Sequence, residues 1–91
     1  MSLTIKKKSN DVFVVTVCKS ETTVHTVTVT NKMLNDLTKN RISKESLLEF
    51  SFHFLLDREP NTLILSSFDI IVISKYFSDY QNEVRKWCDE S

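Results

Sequence analysis

Glu49, His53 and Asp57 follow one another at i, i+4 and i+8. On a helix, side chains four apart are neighbours. A carboxylate on each side could therefore orient the imidazole, strengthen its hold on a proton and make it a general base, or two of the three could ligate a metal ion. All three cannot ligate one ion from a straight helix, because i to i+8 spans two turns. The same spacing also describes a solvated helix face with weak i, i+4 pairs, and that plainer reading is favoured.

Other candidate groups invite similar weighing. His25 shares strand parity with Val27 and Val29, which turns it toward the buried side as a hydrogen-bonded structural histidine. Cys18 and Cys88 lack CxxC or Cys/His spacing and read as idle thiols rather than a disulfide or zinc site. Tyr76, Phe77, Tyr80 and Trp87 gather much of the aromatic content at helical spacing. Their first reading is core, and their second is an exposed patch serving a homodimer or another protein partner. Glu59 reads as a helix-end charge, Asp69 as a cap, and Arg58 as a brace for the loop carbonyls that follow it.

The element that must position most of these groups is SKESLLEFSFHFLLDRE, residues 43 to 59. Wound at about 100° per residue, it spreads Leu47, Leu48, Phe50, Phe52, Phe54, Leu55 and Leu56 over roughly two-thirds of the circumference. Only Ser46, Glu49, His53 and Asp57 fall on the remaining wedge. A stripe that wide predicts a central helix over about 43–58, covered on two or three sides. Ser43 caps it, Glu45 suits the dipole of its first turn, and Pro60 ends it.

Around this helix the chain predicts an antiparallel hairpin of residues 12 to 18 and 23 to 30, rich in β-branched side chains and joined by a short polar break. Residues 1 to 10 read as a loosely held, lysine-rich tail that adds a few strand residues, about 3 to 5. Asn31 caps a short helix to Lys39 with Met33, Leu34 and Leu37 on one face. Residues 62 to 67 are expected to form a helical turn and 70 to 77 a helix capped by Asp69. Ser78 would start a last helix, with Tyr80, Val84 and Trp87 in one stripe. The fold class is therefore α+β, one domain over residues 1–91, with the hairpin packed on three or four helices.

Composition narrows the function by exclusion. The chain has no glycine, which removes the phosphate loop, the dinucleotide-binding turn and the hydrolase nucleophile elbow. Twelve basic and twelve acidic residues cancel, so no overall field draws the chain to nucleic acid or an anionic membrane. The run Lys6 to Lys8 is too short to change this and reads as a solvated tail. With no signal-peptide pattern and no membrane-length apolar run, a cytoplasmic location is expected. No cofactor is expected either.

The segments REPNT-x-IL and FD-x-x-VI-x-x-YF, together with the strand from His25 and the helix closing on Phe52, Phe54, Leu55 and Leu56, resemble an uncharacterised family of small bacterial proteins. Members often carry prolines after Asp69 and after Phe77, where this chain has Ile71 and Ser78. Prolines at such places start helices, so the resemblance implies helices between residues 70 and 88. It implies no activity and no ligand. A second likeness is to the ribbon-helix-helix DNA-binding fold, in strand 24–30, helix 31–39 and helix 43–58. It would place Thr26, Thr28 and Thr30 toward bases and Lys39, Arg41 and Lys44 near phosphates. An upstream strand already able to pair with the reading strand, and threonine's lack of bidentate base contacts, count against it.

The expectation that emerges is a small non-enzymatic interaction or regulatory module that self-associates. A DNA-binding regulator ranks second, and a metal-binding protein or enzyme using Glu49 and His53 third.

Overall fold

A computed structural model describes residues 2–90. Four strands, β1 (Ser2–Lys7), β2 (Val12–Cys18), β3 (Thr22–Thr28) and β4 (Ser67–Asp69), lie in that order in one sheet. The first three pair antiparallel, and β4 pairs parallel to β3. Four helices complete the α+β fold: α1 (Asn31–Thr38), α2 (Lys44–Leu56), α3 (Ile73–Tyr76) and α4 (Tyr80–Glu90). Both α1 and α2 sit in the crossover from β3 to β4, as a parallel pairing requires of its connection.

Strand alternation sets the two faces of the sheet. Phe13, Val15 and Val17 of β2 and His25 and Val27 of β3 are buried together, with Leu3 and Ile5 of β1 opposite Val17 and Val15. Val14, Thr16, Thr26 and Thr28 point to the other face and stay partly exposed. Against the buried face lies α2, as its apolar width demanded. Leu47, Leu48, Phe52, Phe54 and Leu55 are buried, Phe50 and Leu56 half-buried, while Ser46, Glu49, His53 and Asp57 form the exposed seam. Phe52 meets the sheet through His25 and Phe68, with ring centroids 5.4 and 6.3 Å apart. On its other flank α2 meets α4 through Phe54 and Tyr80 (5.2 Å) and through stacked Phe50 and Trp87 (4.6 Å).

Several local expectations are corrected. The segment expected as a loose tail pairs along six residues, from Ser2 opposite Cys18 to Lys7 opposite Phe13; residue 1 of that tail lies outside the described residues. The cap of α1 is Thr30, whose Oγ1 accepts from the Met33 N–H at 3.1 Å, rather than Asn31. Ser43 does cap α2, accepting from the Ser46 N–H. For α4, the first helical bond runs from the Glu83 N–H to the Asp79 carbonyl, so Asp79 and not Ser78 occupies the cap position.

The largest correction is at residues 62–77. A single 3₁₀ turn covers Asn61–Leu63, and the chain then extends into β4. The helix expected over 70–77 is a 3₁₀ turn at Ile70–Val72 followed by the one-turn α3, and Asp69 makes no side-chain cap bond. Ile70, Ile71 and Val72 are β-branched and lose side-chain freedom in an α-helix, while β3 offers an unpaired edge for residues 67–69. Phe68 opposite Val27 closes the core at that edge.

Candidate functional site

The loop between α2 and β4 is held by a chain of polar contacts rather than by regular structure. Asn61, 4% exposed, donates through Nδ2 to the Glu21 carbonyl and to Thr23 Oγ1, both at 2.9 Å. Thr23 Oγ1 lies 2.8 Å from His25 Nε2, and His25 Nδ1 lies 2.7 Å from the Leu65 carbonyl. A carbonyl only accepts, so Nδ1 carries a proton, and in the neutral ring Nε2 accepts from the Thr23 hydroxyl. The histidine is thus the structural group its parity suggested, and its partners fasten residues 61–65 to β3.

Fastened this way, the loop and α3 enclose an apolar groove of about 380 Å³. Buried Leu55, Ile64 and Ile73 make its base, and half-buried Phe68, Val72 and Phe77 its walls. Three side chains on the rim are open to solvent: Leu63 is 67% exposed, Leu65 45% and Tyr76 68%. Only one charged residue lines the groove, Glu59, placed by the last turn of α2 through its N–H bond to the Leu55 carbonyl. Glu59 is half-buried, and among the described residues its carboxylate meets no hydrogen-bond or ion-pair partner. The neighbouring Arg58 is committed elsewhere. It pairs with Asp79 at 2.8 Å, donates to the Phe54 carbonyl and lies 3.5 Å over the Phe54 ring. Its brace is therefore to α2 itself and to the start of α4, not to the following loop.

Of the four aromatic residues read first as core and second as a partner surface, Tyr76 stands on the groove rim and Phe77 in its wall. Trp87 is half-buried against Phe50 on the far side of α2. Tyr80 is withdrawn from that role, because it is fully buried with its hydroxyl 2.6 Å from Ser51 Oγ. The one Ser51 proton goes to the Leu47 carbonyl at 2.7 Å, so the phenol is the donor of that pair. Burial drives the Tyr80 phenol well above its usual range, and a bond that the neutral phenol donates does not oppose that shift.

The seam residues Glu49, His53 and Asp57 stand exposed along α2 and its end. Glu49 and His53 border a shallow hollow of about 260 Å³ beside Phe50 and Trp87, while Asp57 is not part of it. No hydrogen bond joins Glu49 to His53, and among the described residues no group of three or more His, Cys, Asp or Glu is placed to hold a metal ion. Cys18 is exposed and Cys88 buried, both free, with burial raising the Cys88 thiol.

Of the residues proposed for DNA reading, Thr30, Arg41 and Lys44 have side chains engaged within the chain. β3 is hydrogen-bonded on both sides, to β2 and β4, so it cannot pair with the same strand of a second chain as a ribbon-helix-helix dimer requires. Thr26 and Thr28 lie on the outer sheet face, but Thr30 caps α1 and Lys39 closes it in a left-handed conformation with φ 55°. Arg41 pairs with Asp89 at 3.1 Å. The Lys44 side chain, 12% exposed, bonds the Asn10 carbonyl at 2.6 Å and Asp11 at 3.2 Å, tying the β1–β2 turn to the start of α2.

No protein-family model, curated protein or solved structure matches this chain. Among the described residues no helix is long and apolar enough to cross a membrane. The groove itself was not foreseen. All of its lining except Leu55 and Glu59 comes from residues 63–77, within the stretch whose backbone the apolar pattern misassigned.

Proposed function

We propose that this chain is a small non-enzymatic interaction module that self-associates through the groove between the 61–65 loop and α3. One observation carries the reading. Of the four large apolar side chains exposed among the described residues, three, Leu63, Leu65 and Tyr76, stand on the rim of a single groove. Scattered exposed apolar residues are ordinary, but a contiguous patch around a concave surface marks an association site. A short chain also gains from burial shared with a second copy. The lining supplies one carboxylate and one phenol in apolar surroundings and no adjacent nucleophile and base, which favours binding over covalent chemistry.

Sedimentation velocity across micromolar concentrations tests the proposal. The expected result is a concentration-dependent dimer that Leu63→Ser and Tyr76→Ser each weaken with the fold intact by circular dichroism. A monomer at every concentration would refute it.

A further inference from the structure

Resting on that reading of the groove, we infer that the occupant is a second copy of this chain in a twofold dimer, with Tyr76 of each copy entering the other's groove and Lys75 of each meeting the other's Glu59.

Glu59 is half-buried in an apolar wall, and among the described residues nothing pairs with it. No buried side-chain oxygen of the described residues lacks a partner, so the Glu59 carboxylate still reaches water and is open to a cation that an occupant of the groove would bring. Arg58 cannot serve, because its guanidinium is spent on Asp79 and the Phe54 carbonyl. The groove therefore complements an apolar occupant that brings a positive charge.

The chain itself carries such a combination next to the groove's rim residue Tyr76. On α3, Tyr76 projects from the rim with 68% of its surface exposed, and the residue before it, Lys75, is exposed and without an ion-pair or hydrogen-bond partner among the described residues. An apolar groove with a carboxylate in its lining, and an exposed aromatic ring on its rim preceded in α3 by an ammonium, are the two halves that a self-complementary contact needs. A twofold interface has this requirement: if residue i meets j, then j meets i. With a formal net charge of zero, two copies meet without long-range repulsion.

Charge reversal decides the matter, read by sedimentation and by mixing. Glu59→Lys places two lysines where each pair should form, and Lys75→Glu places two glutamates there. Each variant alone should dimerise at least about tenfold more weakly than the wild type. Mixed together, the two variants set opposite charges against each other at both contacts again, and so should form a heterodimer near wild-type strength. Circular dichroism of each variant checks the fold, and Glu59→Gln, which removes charge without reversing it, should weaken the dimer less than Glu59→Lys. If Tyr76→Asp dissolves the dimer while neither charge reversal changes it, or if mixing restores nothing, this pairing is overturned and the groove reading stands. If the wild type never dimerises, both fall, and the groove belongs to an apolar, basic segment of a different protein.

Discussion

The inner side of α2 and the groove at residues 59–77 are both apolar, yet they differ in how polar groups are treated within them. Around α2 each buried polar atom is answered: His25 by Thr23 and Leu65, Tyr80 by Ser51, Ser51 by Leu47. Among the described residues no buried side-chain nitrogen or oxygen lacks a partner. In the groove, Leu63, Leu65 and Tyr76 stay open to water and the Glu59 carboxylate stays unpaired. A region whose apolar and polar demands are both met is finished by folding; one whose demands are half met is where a second surface belongs.

Breaking the finished region should cost most. Phe52 contacts His25 and Phe68 with no exposed surface, so Phe52→Ala should destabilise the fold by about 3–5 kcal/mol in urea denaturation. Next comes the polar chain that links the two regions. Asn61→Ala removes both donors and leaves the Glu21 carbonyl without its side-chain bond, for an expected loss of about 1–3 kcal/mol. Because that chain holds the loop, the same change should also weaken association.

The buried phenol sharpens the comparison through pH. Up to the ordinary tyrosine range near pH 10 the Tyr80 phenol is neutral folded or unfolded, and its stabilisation is fully present. Above that range only the unfolded chain readily loses the proton, so stability should fall with rising pH by up to about 1.4 kcal/mol per unit. Thermal melts between pH 8 and 11 (roughly the span flanking the phenol's ordinary value) should show this alkaline loss in the wild type and its removal in Tyr80→Phe. The smallest effect on stability belongs to the groove rim. Leu63→Ser should shift monomer stability by no more than about 0.5 kcal/mol.

How far the sequence foretold this arrangement follows from the reach of the interactions involved. The central helix and its exposed seam were legible because Leu47, Leu48, Phe52 and Leu55 recur with the helical period, and local periodicity survives any tertiary context. His25 was legible as buried for the same reason, from strand parity. β4 was not, since three residues are too few for their alternation to stand out, and they form a strand only because the edge of β3 lies beside them. The groove depends on that misread segment twice, through the loop pinned by Asn61 and through the one-turn α3, and Glu59 looked like nothing more than a helix-end charge. Tyr76 and Tyr80 stand four apart and would share a face on one continuous helix, yet the break between α3 and α4 puts one in water and the other against Ser51.

Hydrogen–deuterium exchange of the wild-type chain, followed from dilute to concentrated solution, addresses the division between the two regions most directly. Backbone amides of residues 63–65 and 76–77 should gain protection as concentration rises, while those of β2 and β3 stay equally protected throughout. Exchange at 63–65 and 76–77 that does not depend on concentration would contradict the account.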